Sequence, residues 1–472
     1  MVGAFQKPSC GRRMKPIHSI RYSIADSFPF LERNGKIYYF YIIRGGMKMN
    51  KYIRAFAVLY CFLTLMSSCD VKQVETEESQ SVEIETSLPA EENIREACLD
   101  QDVFNEQEPL RTIEKNITVH SYEGAKEKRQ SYTLQVYRNI SDFADVYGEK
   151  EFKRIEFEYA DTYDYFYALY AYKQYLYFLV DEANIQSVFR YNLQDGTTED
   201  VFSYDGDNQI TIATVNDRYL IWQEDENANW MKVSINCYDM INKTNEIVYT
   251  YPRDDDGKMF SWNFDKLVFA GEYLYFDSVV SITDGKADIN LYRYSPSENK
   301  TELLYESRGA QPLSYKGVSW LSFDDTRKEY VIRNLDESAK PIYIGENYID
   351  VYASENYIVG LKSEMTNSIL YYNGTDTIPI IKTTGNFDSI CCTDRYIMWN
   401  GWSNDYPMFY DIEKDSIVYS NVLEYDRRYK PYLSEDYLIF EANDFVADTA
   451  AGEGAVKTRA LIFYYIATDE LR

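Results

Sequence analysis

The chain has 472 residues, with 49 Lys or Arg against 76 Asp or Glu, 47 tyrosines, 7 cysteines and 2 histidines. A net charge of −27 argues against holding a nucleic-acid backbone, and 16% aromatic residues argue against disorder. Seven cysteines are too few for a disulfide scaffold, and two histidines leave little scope for histidine-based catalysis or a zinc site.

In chain order, residues 1–48 come first. A secretory-signal pattern follows them: Lys51 and Arg54, an apolar run from Ala55 to Met66, then Ser67, Ser68 and Cys69. That run is shorter than a membrane span. Such a signal belongs at the start of a protein. Arg44-Gly45-Gly46, ahead of Met47 and Met49, can be encoded by a purine-rich ribosome-binding site. Residues 1–48 are therefore expected to be a leader read in frame, and residues 49–68 the signal peptide. Met66-Ser67-Ser68-Cys69 resembles a bacterial lipobox, with Met66 where Leu is usual. That resemblance implies lipidation of Cys69 and a membrane anchor without a spanning helix. From Cys69 onward 38 basic residues face 74 acidic ones, a net of −36. Residues 69–97 hold eight glutamates and few aromatics, the composition of a disordered acidic tether.

Residues 98–150 read as an added hairpin, Ile117 to Tyr122 with Tyr132 to Tyr137. A short helix follows from Asp142 to Tyr147, with Ser141 as its N-cap. Residues 151–472 are built from a repeat. Tyr175-Leu-Tyr-Phe, Tyr219-Leu-Ile-Trp, Tyr273-Leu-Tyr-Phe, Gly317-Val-Ser-Trp, Tyr357-Ile-Val-Gly, Tyr396-Ile-Met-Trp and Tyr437-Leu-Ile-Phe recur at intervals of 44, 54, 44, 40, 39 and 41 residues. A polar turn precedes most copies, as in Asn216-Asp217-Arg218. A second aromatic strand follows, ending in a turn such as Asp195-Gly196, and then a third apolar strand such as Ile417-Val-Tyr419. Short strands at a period near 40 predict an all-β fold, a β-propeller. The continuous apolar runs suit strands covered on both faces. Seven copies predict seven four-stranded blades, with six or eight as alternatives. The last unit lacks an outer strand, and Lys153 to Tyr159 has no inner partners of its own. The N-terminal strand is therefore expected to complete the last blade.

On these tyrosine-led runs and turns, residues 150–472 resemble the tyrosine-rich propeller lipoproteins of bacteria, grouped with low-density-lipoprotein-receptor-type and TolB-like propellers. The resemblance implies display at the cell envelope and no particular chemistry. After signal removal only His120 remains as a histidine base, outside the repeats, and no Gly-x-Ser-x-Gly element accompanies it. Cys98, Cys237, Cys391 and Cys392 show no C-x-x-C spacing, so zinc is not expected. The neighbours Cys391 and Cys392 are expected to be separate buried thiols. Asp254, Asp255 and Asp256 could ligate calcium, yet they lack the alternating spacing of a calcium loop, and a solvated turn is the plainer reading. No catalytic residue and no cofactor are expected. Inner strands carry Asp265, Asp350 and Asp388, the carboxylates a glycosidase would use. Trp230, Trp402 and Tyr406 follow the apolar runs and are the candidate contact residues for a protein or a sugar. The sequence therefore points to a lipid-anchored recognition module for an envelope protein or peptide, with a glycan-binding or glycoside-cleaving propeller as the alternative.

Overall fold

The computed structural model describes residues 29–33, 36–39, 103–119, 128–158, 163–182, 185–205, 208–226, 231–253, 266–283, 286–306, 311–345, 348–363, 367–385, 387–401, 408–420, 429–447 and 456–472. The signal, Cys69, the acidic tether, Cys98 and His120 lie outside them. The chain divides into two units, residues 1–92 and 93–472. In the first, Pro29–Arg33 pairs with Lys36–Tyr39.

The second unit is a seven-bladed β-propeller of antiparallel blades. From the axis outward, blade 1 is Tyr163–Tyr172, Tyr175–Glu182, Ile185–Asn192 and Thr198–Asp205. Blade 2 is Asn208–Val215, Tyr219–Glu226, Met231–Asp239 and Thr244–Thr250. Blade 3 is Leu267–Ala270, Tyr273–Thr283, Lys286–Ser295 and Lys300–Tyr305. Blade 4 is Gln311–Leu313, Ser319–Asp324, Glu329–Asn334 and Ile342–Gly345. Blade 5 is Tyr348–Ala353, Ile358–Ser363, Asn367–Tyr372 and Thr377–Thr383. Blade 6 is Phe387–Cys392, Tyr396–Gly401, Met408–Asp411 and Ser416–Tyr419. Blade 7 takes Tyr429–Leu433, Tyr437–Ala447 and Val456–Ala467 from the C-terminus, and its outer strand, Lys153–Glu158, from before blade 1. The ring is thus sealed where the sequence anticipated, with Leu461 opposite Phe157 and Phe463 opposite Ile155.

The repeat has a local chemical cause. At the turn before the second strand, a small polar side chain accepts backbone N–H groups two and three residues ahead. Asn216 does so for Arg218 and Tyr219, Thr393 for Arg395 and Tyr396, and Ser434 for Asp436 and Tyr437. At the turn into the outer strand, Asp239, Asn373 and Asp411 cap in the same way, and Asn192 accepts the Gln194 amide. These turns then place one residue at positive φ: Gly196 (75°), Lys243 (57°), Gly374 (94°) and Asp415 (46°). Side-chain caps of this kind stand in for backbone turns and reverse the chain without a long loop.

Seven hydrophobic clusters fill the seven gaps between blades. The second strands are covered on both sides; Leu176 to Val180 are all buried. The tyrosine-led runs are continuous for that reason rather than alternating. Trp222, Trp399, Tyr177, Tyr294, Tyr396 and Tyr410 are each less than 2% exposed. The gap between blades 3 and 4 holds the smallest cluster: Val279, Ile289, Leu291 and Trp320.

The segment before the ring is a belt. The helix Val103–Glu106 puts Val103 and Phe104 into the core between blades 4 and 5. The hairpin Arg111–Val119 with Lys128–Val136 then extends the outer edge of blade 5, Val136 pairing with Ile381, so it founds no eighth blade. Asn139–Asp142 lies parallel to the outer strand of blade 6. The helix Phe143–Tyr147 packs between blades 6 and 7. Its N-cap is Asp142, whose carboxylate accepts the Ala144 N–H at 2.9 Å. Ser141, the expected cap, is instead held in the edge strand, with its hydroxyl 3.3 Å from that of Ser416. Burial of Asp411 fixes the belt to blade 6: it is fully buried and accepts from Tyr147 Oη (2.7 Å), Arg395 Nη2 (3.3 Å) and the Glu413 and Lys414 amides. Asp411→Ala strands those donors and is expected to cost about 2 kcal/mol in urea denaturation.

Candidate functional site

Propeller strands run up and down, so the connections between second and third strands, and between successive blades, share one face. Trp230, Trp402, Tyr406, Asp254, Asp255 and Asp256 all lie outside the described residues. Their flanking strands are described, however. Trp230 falls between Tyr219–Glu226 and Met231–Asp239, and Trp402 and Tyr406 fall between Tyr396–Gly401 and Met408–Asp411. The three aspartates, and Trp262 with them, fall between the outer strand of blade 2 and the inner strand of blade 3. Of the six tryptophans, Trp222, Trp320 and Trp399 are buried strand residues, while Trp230, Trp262 and Trp402 lie outside the described residues, in sequence between described strands.

At the axis the inner strands bring together a polar cluster. Lys266, just before Leu267–Ala270 of blade 3, reaches across the ring to blade 5. Its Nζ is 3.4 Å from Asp350 Oδ1 and 3.5 Å from the centre of the Tyr352 ring, and its side chain is 20% exposed. An ion pair and an aromatic face together replace much of the ammonium's lost hydration. Desolvation nonetheless lowers the Lys266 pKa, with Asp350 opposing. The Asp350 carboxylate also accepts Gln311 Nε2 of blade 4 at 3.2 Å and the Val351 amide at 2.8 Å. Gln311 Nε2 further reaches the Val351 carbonyl at 2.8 Å. Tyr352 is raised far above the usual phenol range, first by burial and then by Asp350.

The adjacent thiols of blade 6 border the same cluster. Both are unpaired, as expected, but half-buried rather than buried. Burial pushes Cys392 up to about 12, with the nearby Lys266 charge opposing. Cys391 is raised too, chiefly by burial, and it adds to the raised values of Tyr170 of blade 1 and Tyr432 of blade 7. Thiols held protonated in this way are poor nucleophiles. With Thr214 of blade 2 hydrogen-bonded to Tyr170, every blade supplies a residue to the axis. Of the three inner-strand aspartates, Asp265 and the side chain of Asp388 lie outside the described residues, and Asp350 is committed to Lys266 and Gln311.

A buried acid on the second strand of blade 2 is likewise satisfied. Glu224 accepts from Asn236 Nδ2 (2.9 Å), Ser234 Oγ (3.3 Å) and Asn208 Nδ2 (3.3 Å). Among the described residues no group of three or more His, Cys, Asp or Glu is placed to hold a metal ion. The opposite face is an interlocked rim. Lys173 reaches Asp217 at 2.6 Å, Gly317 N reaches Glu355 at 3.1 Å, Asn356 N reaches Asp394 at 2.9 Å, and Ser434 Oγ reaches the Lys173 carbonyl at 2.8 Å. These contacts tie blades 1 to 2, 4 to 5, 5 to 6 and 7 to 1. Between them lies an open, shallow groove lined by Lys316, Asn356, Tyr357, Asn373, Thr375 and Asp376.

Sequence reasoning did not find Lys266. It follows Asp265 directly, in a stretch without the repeat's tyrosine cue, and only ring closure shows what it faces.

No family model matches the chain, and no curated protein does. Among solved structures it is similar to the β-propeller domain of the trilobed protease from Pyrococcus furiosus, at 10% identity and a TM-score of 0.45, covering 65% of this chain and 94% of that one. It is also similar to an uncharacterized protein from Listeria monocytogenes, at 10% identity and a TM-score of 0.39, covering 69% and 97%. An oligogalacturonate lyase from Vibrio parahaemolyticus gives 12% identity and a TM-score of 0.41, covering 67% and 97%. The architecture rests on the strands themselves.

Proposed function

We propose that the propeller is a non-enzymatic recognition module for a protein or peptide of the cell envelope, held at the membrane through a lipid on Cys69. The observation that carries this reading is the division of the tryptophans. Three are buried in the core; the other three fall, in sequence, in segments that link second to third strands or one blade to the next. Tryptophan in connecting segments is costly to expose and is favoured where a partner covers it. The lipobox and the acidic stretch 69–97 support display at the membrane surface. The axial groups favour binding over chemistry: the lysine is ion-paired, Asp350 Oδ1 is shared by Lys266, Gln311 and the Val351 amide, and the thiols are held protonated.

The test is capture from envelope extract, with the full chain as bait and mass spectrometry as readout. Trp230→Ala with Trp402→Ala is expected to lower recovery of a stoichiometric protein partner at least tenfold while the urea midpoint stays unchanged. Recovery that survives the double substitution would refute these segments as the contact surface. Turnover of a polysaccharide that is lost on Asp350→Asn would replace the reading with the glycan-cleaving one.

A further inference from the structure

The seam between the last and first blades carries a hydrogen-bond circuit that is one proton short. Glu441, on Tyr437–Ala447, is 6% exposed, and Tyr432, on the neighbouring inner strand, is 8% exposed. Tyr432 Oη lies 2.8 Å from Glu441 Oε2 and 2.9 Å from the Ala168 carbonyl of blade 1. Both neighbours are acceptors when Glu441 is ionised, and a phenol has one proton to give. The Ala168 N–H donates to the Glu441 carboxyl.

We propose that Glu441 carries a proton in the closed ring and acts as a proton-dependent clasp across the blade 7–blade 1 seam. The circuit then closes without a conflict. Ala168 N–H donates to the carboxyl, the carboxyl O–H donates to Tyr432 Oη, and the Tyr432 O–H donates to the Ala168 carbonyl. Loss of the proton turns one of these three bonds into a contact between two oxygens, across the joint that chain connectivity alone does not hold.

The surroundings agree. Phe463 packs opposite Glu441 from the third strand of the blade, and Tyr167 and Cys391 approach Tyr432 from blades 1 and 6. Among the described residues the facing cation is Lys430, the cross-strand neighbour of Glu441, which stands over the Tyr432 ring at 4.9 Å and favours the ionised form. Burial outweighs it, and the Glu441 pKa is raised above 4.5. An acid whose folded pKa exceeds its unfolded one binds an extra proton when folded. Its stabilising effect is complete below the unfolded value and is lost as pH rises through the folded value.

The test compares urea unfolding of the full chain with Glu441→Gln from pH 4 to pH 9. Glutamine keeps the neutral shape and cannot ionise. The two chains are expected to match at pH 4. Above the unfolded pKa the unfolding equilibrium constant of the native chain should rise by up to about tenfold per pH unit relative to the variant. The gap then becomes constant once Glu441 ionises in the folded state. A gap that is the same at every pH would overturn the proposal. Should the variant not fold, infrared spectra of the native chain decide. A protonated-carboxyl C=O band that persists above the usual glutamate range supports the clasp, and complete loss of that band by about pH 5 refutes it.

Discussion

Phe157→Ala is expected to destabilise the ring by about 3 kcal/mol, toward the lower end of the range for truncating a packed phenylalanine, because the side chain is half-buried. Phe157 sits on Lys153–Glu158, the strand that leaves blade 1 to finish blade 7. Its ring centre is 5.1 Å from that of Phe178, 5.4 Å from Tyr191, 5.9 Å from Phe463 and 6.1 Å from Phe166. Three of those rings belong to blade 1 and one to blade 7, so a single side chain spans the seam. Truncation removes the aromatic contacts and leaves a gap where neighbours fixed in sheets cannot collapse. The loss should appear as a lower urea midpoint. A lower denaturant slope should accompany it if the seam opens before the rest. An effect below about 1 kcal/mol would mean that the strand is not the fastening described here.

Trp222→Ala is expected to cost more, about 4 kcal/mol, from the lost transfer energy and the cavity together. Trp222 is fully buried in the core between blades 1 and 2, with the Phe202 ring 4.9 Å away. Its ring nitrogen has no hydrogen-bond partner. Trp222→Phe should therefore recover most of the loss, since the smaller ring gives up packing volume but no hydrogen bond. Urea denaturation of the two variants side by side separates packing from polarity. Equal losses in both would contradict a purely apolar role.

Much of the architecture was legible because each blade restates the same physical problem. A strand buried on both faces must be apolar throughout, and a tight reversal needs an Asn, Asp, Ser or Thr that caps its own backbone. The Tyr-Leu-Tyr-Phe runs and the Asn216 and Asp195-Gly196 turns are those two requirements written in sequence. Closure was legible for a related reason, since blade 7 lacked a strand and Lys153 to Tyr159 lacked partners. The belt was only partly legible. Its hairpin is visible as alternating residues, but its docking on blade 5 depends on pairings such as Val136 with Ile381, 245 positions apart. The helix cap was misread by one residue because Ser141 and Asp142 are both good caps, and pairing with blade 6 decided between them. Asp350 was legible as an inner-strand carboxylate, but the partners it meets at the axis were hidden for the same reason as the belt. Lys266, Gln311, Asp350 and Cys392 belong to four blades, and no local pattern marks a lysine that will lie over a tyrosine from two blades away. The Glu441 clasp was equally silent, because its circuit runs through the backbone of Ala168.

Amide hydrogen exchange of Lys153–Glu158 in the full chain tests the closed ring most directly. A strand that seals blade 7 should be protected together with its partner Val456–Ala467 and exchange with it through the same opening. Exchange of Lys153–Glu158 several orders of magnitude faster than that of Val456–Ala467 would mean that blade 7 stands without its outer strand, and would contradict the sealed propeller.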